Sequence, residues 1–211
     1  MLLVNTLALG AYQTNCYLVR AEGSTGCCIL DPGDQPEIVF RALKARNLTV
    51  DAVLLTHGHF DHVGAVEALA DETGCPVWIS RADWDLPSSP LTARFYPLAG
   101  RQLPGLRFCR EDTPITAGGT VFTVLATPGH TPGSVCYRAE NALFSGDTLF
   151  AGSCGRTDLP GGDPQQMGAS LARLAALPGD ADVYPGHGET TALARERREN
   201  PYLRQEATPW N

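Results

Sequence analysis

Three imidazoles and a carboxylate fall within His57-Gly58-His59-Phe60-Asp61-His62, directly after Thr56. The chain holds five histidines in all, and the other two, His130 and His187, each follow a Pro-Gly pair. They stand in Pro128-Gly129-His130-Thr131-Pro132-Gly133 and Pro185-Gly186-His187-Gly188. A chain that used histidine for ordinary core or surface duty would scatter it; this one leaves none over. Imidazole nitrogen and carboxylate oxygen are the donors that borderline and hard divalent cations take, so the pattern points to a metal site. Along extended backbone, residues two apart share a face, so His57 and His59 can converge on one ion with Gly58 adding no bulk between them. Asp61 and His62 fall where a helix begins and aim elsewhere. Two ligand pairs diverging from one turn imply two ions.

The elements that must hold these residues follow from the hydrophobic patterning. Val50 to Leu55 is a short β-branched apolar run, a buried strand, and Ala65, Val66, Leu69 and Ala70 recur at helical spacing up to Thr73, where Gly74 stops the helix. The motif therefore sits in a strand-to-helix turn. Upstream, Leu2 to Leu9, Asn15 to Arg20 and Gly26 to Asp31 form a meander of strands. Pro36 opens a helix that ends near Asn47. Downstream come strands at Pro76 to Ile79, Leu106 to Arg110, Val121 to Ala126 after a Gly118-Gly119 turn, Ser134 to Arg138, Ala142 to Ser145 and Asp182 to Tyr184. Helices are expected from Pro164 to Leu177 and from Ala192 to Glu199, the first with Met167, Leu171, Leu174 and Ala175 on one side. Residues 80–105 are proline-rich and irregular, either a lid or substrate wall or a packed surface loop with a short helix. Residues 151–163 form a Gly-rich loop. Thr56, Thr127, Gly146-Asp147 and Pro185 each follow a strand end, so one rim of a sheet can gather all the candidate donors.

Composition narrows the partners. At 211 residues, 43% hydrophobic and 18% charged, the chain fits one soluble domain spanning 1–211 with a substantial core. A formal charge of −7 argues against a nucleic-acid surface, and Arg195-Glu196-Arg197-Arg198-Glu199 reads as a solvated helix face of mixed sign. No apolar stretch approaches the roughly 20 residues that span a bilayer, and Met1-Leu2-Leu3-Val4-Asn5 lacks the basic region of a signal peptide. Seven cysteines with no C-x-x-C pair exclude a zinc ribbon or thioredoxin-type site. Free, mostly buried thiols in a reducing cytoplasm are the expectation.

The chain resembles the metallo-β-lactamase-fold hydrolases, in particular the small glyoxalase II-like (hydroxyacylglutathione hydrolase-like) branch. The resemblance is carried by Asn15-Cys16-Tyr17-Leu18-Val19, Asp31-Pro32-Gly33, the 56–62 motif, and Thr127 to Ser134. It continues through Ser145-Gly146-Asp147-Thr148-Leu149-Phe150, Gly155-Arg156-Thr157-Asp158 and Pro185 to Gly188. It implies an α/β (α+β) four-layer αββα sandwich of two mixed sheets flanked by helices. It places His57, His59 and His130 on one metal, Asp61, His62 and His187 on a second, and Asp147 between the two. Zinc is the metal first expected, with iron or manganese as alternatives. The implied activity is hydrolysis of a small-molecule thioester such as S-D-lactoylglutathione by a metal-bridging hydroxide, in a monomer or homodimer that binds neither nucleic acid nor membrane. The resemblance implies that water held between two ions would be acidified toward neutrality, with Asp61 orienting it and accepting a proton and Asp147 shared by the two ions. Cys154 then has no nucleophilic duty and is structural.

Two departures stand out. Larger glyoxalase II enzymes carry a helical C-terminal domain, for which 24 residues after His187 leave no room. Their loop after the bridging aspartate also carries a Lys and a Tyr that contact glutathione; here Arg156 stands in for the Lys and Asp158 lies where the Tyr is expected. Arg156, Thr157 and Asp158 are accordingly the candidate substrate contacts. Arg156 either grips a carboxylate bidentately or pairs with Asp158 or Asp163 to order its loop. A persulfide dioxygenase, similar in its Gly-Arg-Thr-Asp loop, is the alternative; it would hold one iron on His57, His130 and Asp147. Common binuclear β-lactamases differ further, with cysteine in place of Asp147 and arginine in place of His62.

Overall fold

Side-chain alternation along the strands divides this chain's apolar residues among three interiors, one between the sheets and one under the helices of each sheet. In the computed structural model, which describes residues 1–206, the first sheet consists of β1 (Leu2–Leu9), β2 (Thr14–Ala21), β3 (Gly26–Leu30), β4 (Thr49–Leu54), β5 (Val77–Ile79) and β6 (Leu106–Phe108), in that order. The first three run antiparallel, and β3 to β6 are parallel. Parallel neighbours need crossovers. These are α1 (Pro36–Ala45), the pair α2 (Phe60–Val63) and α3 (Val66–Thr73), and the pair α4 (Arg81–Trp84) and α5 (Pro90–Phe95).

The second sheet contains β7 (Ile115–Ala117), β8 (Thr120–Ala126), β9 (Val135–Ala139), β10 (Ala142–Gly146), β13 (Asp182–Pro185) and β14 (Thr191–Ala192), consecutive neighbours across the sheet. A small hairpin of β11 (Leu149–Phe150) and β12 (Ser153–Cys154) follows β10. Helix α6 (Pro164–Ala175) makes the parallel crossover from β10 to β13, and α7 (Leu193–Glu199) closes the order.

The period of two in β2 sends Tyr17 and Val19 into the space between the sheets and Cys16 and Leu18 toward the helices. There Tyr17, Leu30 and Leu54 of the first sheet meet Phe122, Tyr137 and Phe144 of the second. Val39, Leu43, Val66 and Leu69 cover the outer face of one sheet, and Met167, Leu171, Leu174 and Leu193 that of the other. Each fully buried leucine or phenylalanine stabilises by about 1.5–3 kcal/mol. The order of layers is helix, sheet, sheet, helix, as the resemblance implied. All seven cysteines are free and buried, and among the described residues no helix is long and apolar enough to cross a membrane.

Four local expectations need correction. The helix after the histidine motif is broken into α2 and α3, because Gly64 N–H and Ala65 N–H leave the helical pattern to donate to the carbonyls of Gly33 and Pro32. The helix opened by Pro36 stops at Ala45 because Asn47 takes a left-handed conformation (φ 52°). Strand β7 was not expected, since Ile115 is the one large apolar residue in its three. The irregular 80–105 segment contains two helices, each capped by a serine: Ser80 accepts from Ala82 N–H, and Ser89 from Thr92 N–H.

Gly33 is where this packing tolerates no side chain. A Cβ built there would lie 1.8 Å from the Asp61 carbonyl oxygen, a backbone atom that cannot swing away. Gly33→Ala should lower unfolding free energy in urea by at least the 1–3 kcal/mol typical of overpacking. Gly168→Ala, in α6 with nothing within 4 Å of the added carbon, should be neutral or stabilise by up to about 1 kcal/mol. Equal stability of Gly33→Ala and the parent would refute the close approach.

Candidate metal centre

The donors arrive from the ends of four strands. His57 and His59 follow β4, with His59 as the residue before α2, and Asp61 and His62 lie in that helix. His130 follows β8, Asp147 follows β10, and His187 follows β13. Because β10 and β13 are parallel neighbours, Asp147 and His187 leave the sheet at the same edge. Gly186 lets them close up: a Cβ there would sit 2.1 Å from Asp147 Oδ1 and 2.7 Å from His62 Cε1.

What each ring does is settled by the partner on its outer edge. His62 Nδ1 faces Asp31 Oδ2 at 3.0 Å, so it carries a hydrogen and Nε2 turns inward. Asp31 also accepts the Thr56 N–H at 2.8 Å and the Thr56 hydroxyl at 2.6 Å. With its hydrogen spent on Asp31, the Thr56 oxygen is an acceptor for His57 Nδ1 at 3.1 Å. His130 Nδ1 donates to the Arg156 carbonyl at 2.7 Å, and His187 Nδ1 to the Tyr12 carbonyl at 3.2 Å. Four rings thus turn Nε2 to the interior, with the outer-edge hydrogen-bonding typical of metal-ligating histidines. His59 is turned the other way, with Nδ1 facing His130 Nε2 at 2.9 Å.

Several atoms of the cluster lack a hydrogen-bond partner. Buried His57 Nε2, His62 Nε2 and Asp147 Oδ1 have no hydrogen bond, as does His59 Nε2. Buried polar atoms are normally satisfied. The donor atoms form three overlapping groups, each within 4.8 Å: His57, His59 and His130; His57, His62 and Asp147; and Asp61, His62 and His187. Asp147 stands between the outer two, its Oδ1 3.4 Å from His62 Nε2 and its Oδ2 3.5 Å from both His130 Nε2 and His187 Nε2. Nitrogen and carboxylate donors with unmet lone pairs fit divalent cations.

For His57, His59 and Asp147 the electrostatics favour the metal-binding protonation states, whereas His62 and His187 are shifted toward the protonated ring, whose inward hydrogen a bound cation would displace. Burial, reinforced by neighbouring His62 and His130, holds His57 well below the usual imidazole range, and burial with His130 brings His59 down to about 3. Burial would raise the Asp147 carboxyl, but His62, His130 and His187 outweigh it and hold it well below the carboxylate range. Burial would lower His62, yet Asp147 and Asp31 raise it. Neutral His57 and His59 beside ionised Asp147 are the forms a cation requires.

The cluster floors a cleft of about 700 Å³ whose walls include Tyr12, Phe60, Phe95 and Phe150. Arg156 lines it with an exposed guanidinium held by Asp158 through two 2.6 Å bonds. Asp158 and the buried Thr157 lie outside the lining. Asp163 does not pair with Arg156; it caps α6 by accepting from Gln165 N–H and Gln166 N–H. Sequence reasoning assigned no role to Asp31, Tyr12 or Phe150, whereas Phe95 lies in the 80–105 segment for which a substrate wall was one of two expectations. Asp31 alone carried a local signal, standing at a strand end before Pro-Gly. Asp31→Ala should weaken metal binding 10–100-fold, the usual cost of losing an outer partner, in a competition titration with a chromophoric chelator. Unaltered affinity would rule out its orienting role.

The metallo-β-lactamase superfamily model matches residues 9–187. A hydroxyacylglutathione hydrolase, GloC, of Haemophilus influenzae is 33% identical over 207 residues, covering 95% of this chain and 97% of the relative. Among solved structures, the BLEG-1 B3 metallo-β-lactamase is 37% identical with a TM-score of 0.83, covering 95% of this chain and 99% of that one. TTHA1623 in a di-iron-bound form is 40% identical with a TM-score of 0.80, covering 94% and 100%. Donor cluster, layer order and likeness over nearly the whole length agree, and this chain belongs to the metallo-β-lactamase superfamily.

Proposed function

We propose that this protein is a binuclear metal-dependent hydrolase of small-molecule thioesters, S-D-lactoylglutathione or a related acyl-thiol. The observation that carries the reading is the pair of outer donor groups joined through Asp147 at the floor of one aromatic-walled cleft. His57, His59 and His130 would hold one ion and Asp61, His62 and His187 the other, with Asp147 shared. Zinc is the first expectation; the di-iron form of TTHA1623 supports iron as an alternative. Two ions bound there supply an acidified water and polarisation of a carbonyl.

The chain's own residues account for the rest. Asp61, held ionised because its hydrogen bond from His187 and the nearby His62 outweigh burial, lines the cleft and accepts a proton from the attacking water. Tyr12, Phe60, Phe95 and Phe150 seat an acyl chain. A thiol leaving group, with a pKa near 8.5, departs as thiolate without an acid. Cys154 lines the cleft but is no nucleophile: burial pushes its thiol up to about 12. The likeness to BLEG-1 favours one second reading, hydrolysis of a β-lactam by the same donors. That amide nitrogen leaves as a far poorer group than a thiolate.

Metal analysis joined to a panel of S-D-lactoylglutathione, other acyl-thiols, a penicillin and a carbapenem separates these readings. Two ions per chain with turnover confined to thioesters is expected. Turnover of the β-lactams alone would favour the second reading. One iron per chain with oxygen uptake on glutathione persulfide would replace both with a dioxygenase. His59→Ala should abolish metal retention and turnover together, and full turnover in that variant would break the site assignment. Arg156→Ala should raise KM more than it lowers kcat, because its main-chain carbonyl, which holds His130, remains in place. A selective fall in kcat would count against a substrate contact.

A further inference from the structure

Asp83 is 1% exposed in a helix of one turn, and its partners lie on two other loops. Its Oδ2 accepts the Gly58 N–H at 2.8 Å and the Thr131 hydroxyl at 2.8 Å, and its Oδ1 accepts the Gly133 N–H at 2.7 Å. Gly58 stands between His57 and His59, and Thr131 directly follows His130. Those three histidines form one of the donor groups.

The two loops spring from different sheets, β4 in the first and β8 in the second. Ladder hydrogen bonds within each sheet fix where each loop begins, and at the root Val135 N–H donates to the Thr56 carbonyl at 2.8 Å. Farther out, at the level of the imidazoles, Asp83 spans the gap. Thr131 is itself aligned for this bond, its oxygen 2.8 Å from Ser134 Oγ and its N–H donating to the same Oγ at 3.1 Å. The segment that brings Asp83 also lays Tyr96 against His59, ring centroids 4.8 Å apart, and ties the Tyr96 hydroxyl to the Pro160 carbonyl at 2.7 Å.

We propose that Asp83 is a positioning residue of the metal centre, one buried carboxylate that holds the His57–His59 loop against the His130 loop and so sets the separation of their ring nitrogens. It bonds none of the candidate donor atoms; it acts through two main-chain amides and a hydroxyl, all three donating to its carboxylate. The inference rests on the metal-hydrolase reading above. Its consequence is that the irregular 80–105 segment, which supplies the Phe95 wall of the cleft, is also part of what holds metal.

The test uses zinc titration against a chelator and the electronic spectrum of the cobalt-substituted protein, for the parent, Asp83→Ala, Asp83→Asn and Glu196→Ala. Glu196 is a matched control: equally buried, and bonded to Gly152 N–H, the Thr191 hydroxyl and the Asn200 amide, on a helix that carries none of the histidines. Asp83→Ala should lose 10–100-fold in affinity for one of two equivalents, with shifted cobalt bands. Asp83→Asn keeps an oxygen toward Gly58 and Thr131 and should fall between. Glu196→Ala should unfold earlier yet keep parent affinity and spectrum. Parent affinity and spectrum in folded Asp83→Ala, or in Asp83→Asn should the alanine variant not fold, would overturn the proposal. An equal loss of affinity in Glu196→Ala would do the same. Failure of the parent to bind any metal would instead sink the hydrolase reading itself.

Discussion

The structure depends on a set of ring nitrogens and carboxylate oxygens driven together in a buried place where His57 Nε2, His59 Nε2, His62 Nε2 and Asp147 Oδ1 are left without a hydrogen-bond partner. Desolvating such atoms without partners costs more than a typical core contact returns. The arrangement is tenable because the outer edges of four rings are pinned, by Asp31, the Thr56 hydroxyl, and the Arg156 and Tyr12 carbonyls. Each outer bond decides which nitrogen is held at the outer edge, and so which one points inward. Coordination would return what burial takes away, which is how a metal site couples to the stability of its scaffold.

The two-sheet architecture makes this crowding possible. A single strand end delivers one short loop; four strand ends from two facing sheets deliver the 57–62, 130, 147 and 187 segments to one rim. The core between the sheets, with Tyr17, Phe122, Tyr137 and Phe144 all buried, makes the rim rigid at the scale of hydrogen bonds. Core and site are also directly joined. Tyr17 donates its hydroxyl to the Pro185 carbonyl at 2.6 Å, and Asn15 donates to the Pro185 and Gly188 carbonyls, so strand β2 braces the His187 loop.

Above the rim the chemistry turns apolar. Aromatic side chains from the β1–β2 turn, α2, α5 and the β11–β12 hairpin wall the cleft, while its floor is charged and hydrogen-bonding. Arg156 belongs to both: its carbonyl fixes His130 and its guanidinium, paired with Asp158, stands at the edge.

Residue type and spacing marked the candidate donors, because five histidines in three tight motifs at strand ends leave little freedom of assignment, and patterning marked most of the strands and helices, while the two-sheet sandwich was implied by the family resemblance. Patterning reaches only a few residues along the chain, however. It registered neither the three-residue β7 nor the break between α2 and α3, which two carbonyls of a distant loop impose. Only the tertiary structure decided which nitrogen of each ring faces inward, since the deciding partners lie 31 residues from His62 and 175 from His187 in sequence. It alone showed that Asp83, unremarkable in an irregular stretch, is buried against two histidine loops. A hydrogen bond depends on separation in space, and that separation exists only once both sheets have packed.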